Sequence, residues 1–363
     1  MKFILACVGC SREYDVETPL WRCRVCDSPI SLKIEDYPEL NRFQDIVEDD
    51  LTLWRYGKLI PFSDFRVSIG EGLTPVHIHS FRGMEITFKF EYFSPTGSFK
   101  DRGASAGVTR ANALQASTIV EDSSGNAGLA YSAYAAAGGL RARIYVPEDA
   151  PPAKLRLVSA FNAELVKCRS REEASERAVS ELKQGEMYVG HLWDPFFIEG
   201  IKTEVFELYE FSNIDFDAVV VPTASGSHLL GIYRGFIDLL EMGFIDELPA
   251  FIAVQSAGCS PVYEEFYGEK FEGDGSLADG LRIKNPPRMR EILKVLRANG
   301  DVVVVNNDEI REAIKYLLKL GILVEPTSAT SWAGMMKLES EYRKILMPLT
   351  GTGIKTAEKL QNL

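Results

Sequence analysis

Four short segments of this 363-residue chain gather residue types suited to holding a small ligand. In 94-SPTGSFKDRGAS-105, Pro95 and Gly97 close a turn and Lys100 enters the first turn of a helix. A cation is poorly placed there, because a helix N-terminus already carries partial positive charge. Such a setting depresses an amine's pKa, which suits a lysine that forms a Schiff base; a surface lysine paired with Asp101 is the plainer reading. In 122-DSSGNAGLAYSAYAAAGG-139, Ser123, Ser124, Gly125, Asn126 and Ala127 end a strand and open an Ala-rich helix. Small residues let the backbone approach a ligand, and the free N–H groups of a helix start can hold a carboxylate. An ordinary N-cap would need only one serine.

The third segment is 221-VPTASGSHLLGIYRGF-236. An apolar strand runs into Ala224, Ser225, Gly226, Ser227 and His228, then an amphipathic helix. Successive N–H groups among small residues make a phosphate cradle. Neither G-x4-G-K-[ST] nor G-x-G-x-x-G is present, and a plain strand-to-helix turn would look similar. In 346-LMPLTGTGIKT-356 a strand ends at Thr350, whose hydroxyl can bond a heterocyclic nitrogen. The set offers an amine for an aldehyde, an amide for a phenolic oxygen, a phosphate cradle and a hydroxyl for a ring nitrogen. Those are the binding needs of pyridoxal phosphate.

Cysteines supply a second constellation. Cys7 and Cys10 form one C-x2-C pair, and Cys23 and Cys26 form another after twelve intervening residues. Two such knuckles complete the all-thiolate tetrahedron of a structural zinc ribbon, with no position left open for catalysis. Two disulfides or four reduced thiols are the alternatives, and a reducing cytosol disfavours the first. Cys168 and Cys259 stand alone and read as small buried hydrophobes.

The elements that must position these residues alternate strand and helix. Strands are expected at 86–91, 117–122, 142–147, 218–222, 250–255 and 302–305. Helices are expected near 99–114, 125–138, 152–161, 171–184, 195–210, 227–242, 308–320 and 327–340. Nearly all-apolar strands alternating with helices mean parallel sheet in an α/β fold, and ligands in such sheets sit beyond the carboxyl ends of strands. A helix and a loop are expected in 31–70, and a long loop over 256–300 as a lid or subunit contact.

Composition sets the class. Hydrophobic residues are 46% and charged residues 25%, as in a globular protein; the net charge of −12 argues against a nucleic-acid partner. No apolar run approaches the roughly 20 residues that span a bilayer. The start, 1-MKFILACVGC-10, lacks a cleavage signature and reads as a first strand in a cytoplasmic chain.

The ordered motifs 70-GEGLTPV-76, 95-PTGSFKDRG-103, 123-SSGNAG-128, the loop at 223–228, 325-EPTSA-329 and 350-TGTGIK-355 resemble the threonine synthase family, among the fold-type II pyridoxal-phosphate enzymes. The resemblance covers most of 70–356. It implies two doubly wound sheet domains of tryptophan synthase β-like architecture behind the cysteine module. The module is expected at 1–35 and the catalytic body at 36–363, with a smaller inserted domain at about 105–185. By resemblance Lys100 holds the cofactor, Phe99 lies beside it, and Asn126 bonds its ring oxygen. The backbone of Ala224 to Ser227 takes its phosphate with His228 closing the loop, and Thr350 meets the ring nitrogen. The substrate carboxylate is expected on Ser123, Ser124, Gly125 and Ala127, with Lys154 the nearest lysine for a phosphate.

The implied reaction converts O-phospho-L-homoserine and water to L-threonine and phosphate, and the implied assembly is a homodimer. Alternatives within the family are a cysteate or cysteine synthase using O-phosphoserine, or a serine/threonine dehydratase. An alternative outside it is a binding protein that has lost turnover, which an intact Lys100 opposes. The chain departs from the family pattern at His228, where Asn is usual, and at 191-HLWD-194, where Asn residues often help bind the substrate phosphate. Asp194 there is an anion that needs a neighbouring cation.

Overall fold

The computed structural model describes residues 2–150, 152–212, 214–338 and 342–360. The chain forms two compact units, each assembled from two stretches: Met1–Leu73 with Lys100–Glu204, and Thr74–Phe99 with Val205–Leu363.

In the first unit, four parallel strands lie in the order Glu164–Cys168, Arg141–Pro147, Thr118–Glu121, Glu186–Tyr188. Thr118–Glu121 is buried at every residue, so both its faces are covered and its β-branched side chains pack on each side. Packed against the helix Asn126–Ala137, the helix Lys100–Ala113 is buried from Asp101 to Ala111. It achieves that with small residues. A Cβ on Gly103 would stand 2.3 Å from the Phe197 ring of the helix Pro195–Phe211. A Cβ on Gly200 of the latter helix would stand 2.0 Å from the Arg102 carbonyl oxygen.

The segment before Lys100–Glu204 contains strand and 3₁₀ turns where a helix was expected. After the strand Ile30–Glu35 come 3₁₀ turns at Phe43–Ile46, Leu53–Leu59 and Ser63–Phe65. Side-chain anchoring wins over helical periodicity here. Trp54 is fully buried and its Nε1 donates to Ser105 Oγ at 3.0 Å, while Ser105 Oγ donates to the Val67 carbonyl. Glu71 staples the 70-GEGLTPV-76 turn: it accepts from Ser68 Oγ, the Ile69 N–H and Tyr134 Oη. Gly70 and Gly72 on either side adopt φ of +102° and +105°, which only glycine takes without strain.

The three-stranded antiparallel sheet Glu13–Asp15, Lys2–Cys7, Ile30–Glu35 carries the cysteines. Its Leu5, Ile30 and Leu32 pack with Leu20 of the intervening loop and with Ala106 and Phe196.

The second unit has a six-stranded sheet in the order Gly300–Val305, Ala250–Ser256, Ala218–Pro222, Lys344–Pro348, Met84–Lys89, Val76–Phe81. All neighbours are parallel except the last two, which form a hairpin. Its two-residue turn, Arg82-Gly83, has positive φ at both positions and so matches the twist of the strands. Every residue of Ala218–Pro222 and Ala250–Ser256 is buried.

The expected loop at 256–300 instead holds the helices Pro261–Tyr267 and Met289–Asn299. Pro261 starts the first from its N-terminal turn, and the second buries Ile292, Leu293, Val295 and Leu296 at helical spacing. Clustered Gly, Pro and charge around them masked that periodicity. The strands Glu164–Cys168 and Glu186–Tyr188 are likewise additions to the expected set. Among the described residues, no helix is long and apolar enough to cross a membrane.

Candidate active site

In the first unit, Lys100 opens its helix with Nζ 5.3 Å from the centroid of the Phe197 ring. The next two residues, Asp101 and Arg102, are fully buried, and Arg102 Nη1 donates to Thr203 Oγ1 at 3.0 Å. The helix start is therefore anchored while its first side chain lies over an aromatic face. Asp122 to Asn126 form a half-buried stretch between buried Glu121 and buried Ala127. Ser123 Oγ accepts the Gly125 N–H at 3.2 Å, and Gly125 precedes the helix Asn126–Ala137. Among the described residues the N-cap Gly125 makes no side-chain capping bond, and a helix start of this kind is suited to an anion. Gly128 is required by packing, because a Cβ there would stand 1.9 Å from the Ser123 carbonyl oxygen. Lys154 is half-buried on the helix Pro152–Ser159, which packs against Asn126–Ala137.

The segment 191-HLWD-194 has resolved roles. Asp194 is buried, accepts the Phe196 N–H, and pairs with buried Arg110 at 3.3 Å. Its charge is thus met by a guanidinium. His191 Nδ1 lies 2.6 Å from Glu121 Oε1. Burial drives the Glu121 carboxyl well above the usual range, with the charge of Asp122 adding to it. Burial also drives His191 well below its usual value, helped by the charges of Lys100 and Arg171.

In the second unit, Phe99 is held from two sides. Its ring stacks on His228, centroids 4.0 Å apart and planes 11° from parallel, and its N–H donates to the Thr350 carbonyl at 3.1 Å. The turn at 224–228 and Thr350 thus hold Phe99 from two sides within the second unit. The turn follows the buried strand Ala218–Pro222 and precedes the helix Ser227–Glu241. Gly226 adopts φ +81°, and a Cβ there would meet Ile292 at 2.3 Å. Ser225 Oγ and Ser227 Oγ lie 3.1 Å apart, and the Ser227 N–H donates to Ser225 Oγ. The Thr350 N–H donates to Ser328 Oγ at 2.9 Å. Its own hydroxyl, on a residue 3% exposed, has no hydrogen-bond partner among the described residues.

The four cysteines of the first unit converge. Their sulfurs all lie within 4.8 Å of one another, with Cys7 to Cys26 at 3.4 Å and Cys10 to Cys23 at 3.7 Å. A disulfide would bring sulfurs to about 2 Å, whereas thiolates about 2.3 Å from one tetrahedral ion stand apart as these do. N–H groups of Gly9 and Cys10 point at Cys7 Sγ, and that of Val25 points at Cys23 Sγ. Such donors stabilise thiolates.

A sequence profile described as "Pyridoxal-phosphate dependent enzyme" matches residues 67–351. The chain belongs to this family. It is 32% identical to the threonine synthase of Methanocaldococcus jannaschii, over 96% of this chain and 92% of that protein. It is 30% identical to the threonine synthase of Methanosarcina acetivorans, over 92% and 86%. Maize serine racemase superposes with a TM-score of 0.67 at 25% identity, over 80% of this chain and 91% of the racemase.

This member of the pyridoxal-phosphate dependent enzymes has residues that fit the cofactor. Thr350 offers a buried hydroxyl with no partner among the described residues, and the 224–227 turn takes a left-handed glycine at a helix start, where backbone N–H groups suit a phosphate. Phe197, Glu121, Arg171 and Ser328 have no role in the sequence reading. The carboxylate closing the otherwise apolar strand 118–121 was the available signal for Glu121. Arg171 gave none, because a charged residue after Ser170 looks like any helix start.

Replacing Thr350 by Val tests the hydroxyl with two opposite signs. Removing a buried unpaired hydroxyl is expected to stabilise the cofactor-free protein by about 1 kcal/mol, while cofactor affinity falls by roughly 3- to 10-fold. Melting temperatures and a cofactor titration check both. A variant that binds the cofactor as the parent does would show that the hydroxyl does not meet the ring.

Proposed function

We propose that this enzyme converts O-phospho-L-homoserine and water to L-threonine and phosphate. The observation that carries the reading is the match, over nearly the whole chain, to threonine synthases at 30% and 32% identity. Pyridoxal phosphate, held by Lys100, Asn126, the 224–227 backbone, His228 and Thr350, supplies an electron sink that acidifies the substrate α-carbon. Lys100 Nζ takes the α-proton and later returns it. The N–H groups of the Ser124 to Ala127 turn hold the substrate carboxylate, and Lys154 and Arg171 supply positive charge for its phosphate. The Arg110–Asp194 pair removes the electrostatic objection to an anion in this segment. Cys7, Cys10, Cys23 and Cys26 hold one structural zinc ion, and their unbridged thiols suit the reducing cytoplasm.

One feature favours a second reading, elimination or replacement on a shorter amino acid: the Phe197 ring beneath Lys100 brings no charge to a phosphate. Product analysis separates the two. O-phospho-L-homoserine is expected to yield threonine and phosphate in equal amounts. O-phospho-L-serine, L-serine and L-threonine, run in parallel, are expected to turn over far more slowly. Turnover of one of those without threonine formation would move the enzyme to the second reading.

A further inference from the structure

Two titratable groups of the first unit, buried Glu121 and half-buried His191, have no task in that scheme, and they touch. Glu121 ends the strand Thr118–Glu121, and His191 follows the neighbouring parallel strand Glu186–Tyr188, so the sheet joins residues 70 apart in sequence. His191 Nδ1 stands 2.6 Å from Glu121 Oε1, and the His191 N–H donates to Oε2 at 3.1 Å. Both carboxylate oxygens are thereby committed to one residue, which fixes the imidazole. The His191 side chain keeps 14% exposure, and no hydrogen bond reaches its Nε2 among the described residues. The ring lies edge-on to Phe197 at 5.9 Å, the same ring that carries Lys100 Nζ.

We propose that His191 is a second proton-transfer residue of the active site, serving the substrate side chain through Nε2, with Glu121 as the positioning residue that sets its tautomer. This rests on Lys100 being the cofactor lysine. The charged and titratable groups facing the pair are Lys100, Asp122, Asp194 and Arg171, together with Tyr131 and Tyr188. Burial, with the charges of Asp122 and Asp194, favours a protonated Glu121 against the opposing charge of Lys100, and burial with the charges of Lys100 and Arg171 favours a neutral imidazole, so with Glu121 donating to Nδ1 the imidazole carries its own proton on Nε2. When Nε2 gives up that proton, the Glu121 proton crosses to Nδ1. The pair then carries one negative charge, which Lys100 offsets. Accepting a proton at Nε2 reverses the sequence. The pair cycles between neutral and −1 and never forms a buried imidazolium, which a lone histidine would have to do.

In the proposed reaction, the γ-carbon–oxygen bond breaks and its electron pair leaves on phosphate, which also takes the proton lost from the β-carbon. The γ-carbon becomes a methyl by gaining the Nε2 proton. Water then gives its hydroxyl to the β-carbon, and its remaining proton returns to Nε2.

His191→Asn and Glu121→Gln test this in the holoenzyme. Both are expected to lower kcat for threonine by about 100-fold or more, with KM within about threefold, and to flatten one limb of the pH–rate profile. The bound cofactor's visible absorbance and the exchange of the substrate α-proton in D₂O are expected to persist, since Lys100 is untouched. Nitrogen-15 NMR of the wild type should show a neutral His191 protonated at Nε2 from pH 6 to 8. L-2-amino-3-butenoate, whose γ-carbon is already unsaturated and which carries no phosphate, needs only the Nε2 proton at that carbon, so its deuterium uptake in D₂O gives an arm independent of O-phospho-L-homoserine. Uptake at the α-carbon should survive both variants, and uptake in the side chain should be lost. An imidazolium signal in that pH range, or side-chain uptake and pH profile unchanged in both variants, would overturn the proposal. If wild type makes no threonine but shows His191-dependent side-chain uptake, the substrate assignment fails and the proton relay stands. If His191→Asn loses the cofactor, Glu121→Gln decides alone.

Discussion

Replacing Lys100 by Ala is expected to lower turnover by a factor of about 10⁴ or more and to erase the visible absorbance of the bound cofactor. The general-base role alone accounts for about 10² to 10⁴, and loss of the covalent attachment adds to it. The fold should survive. The helix is anchored by buried residues from Asp101 onward, and Lys100 is half-buried at its first position. The plainer reading, a surface lysine paired with Asp101, predicts a loss below about 1 kcal/mol in stability and unchanged absorbance. Absorbance and melting temperature, measured on the same sample, therefore separate the two. A Lys100→Ala protein that retains the cofactor spectrum would remove the basis of the proposed function and of the His191 relay together.

The second large effect concerns the cysteines. Purified protein is expected to hold about one zinc per chain, and Cys23→Ser is expected to lose it. Structural zinc contributes about 10–16 kcal/mol of apparent binding free energy in small modules, more than the three-stranded sheet can supply by itself. That module offers a small core of Leu5, Leu20, Ile30 and Leu32, shared with Ala106 and Phe196. The damage should spread. Arg110 Nη2 donates to the carbonyls of Thr18 and Leu20 at 2.8 and 3.0 Å, and the guanidinium is otherwise buried with Asp194. Trp21 packs edge-on against both Tyr188 and Trp193. Loosening the module strips a buried cation of two acceptors, at a cost of about 1.5–3 kcal/mol for each charged hydrogen bond. Metal analysis and thermal melting before and after chelation check this. A metal-free protein that melts at the original temperature would sink the structural-zinc assignment.

The sequence revealed what depends on local pattern. Ala218–Pro222 and Ala250–Ser256 are buried on both faces, so their residues are apolar without alternation and read as parallel strands. The helix starting at Lys100 and the turn before Asn126 were legible from turn residues and small residues in sequence. What stayed hidden depends on partners distant in the chain. Glu164–Cys168 is an edge strand with a largely accessible surface, and Glu186–Tyr188 has three residues, so neither carries a pattern strong enough to stand out. The stretch around Trp54 has aromatic content that fits a helix, yet Ser105 and Thr109 on another element settle its shape through single hydrogen bonds. The Glu121–His191 contact arises because two strands are neighbours in a sheet, which spacing in the sequence cannot show. Asp194 looked like a repulsive charge for the same reason, since Arg110 lies far from it in the chain.

The order of strands in the second sheet bears on how the protein is made. Lys344–Pro348 lies between Met84–Lys89 and Ala218–Pro222, with Lys344 paired to Glu85 and Leu346 to Val219. A ribosome that adds about 5–20 residues per second needs roughly 13 to 50 seconds to travel from the first of these strands to the last. During that interval the hairpin Val76–Phe81 and Met84–Lys89 exists without its parallel neighbour, and its apolar Ile86 and Phe88 have no sheet to enter. The nascent chain must therefore carry an open strand edge through most of its synthesis, the circumstance in which chaperone capture and misassociation compete with folding.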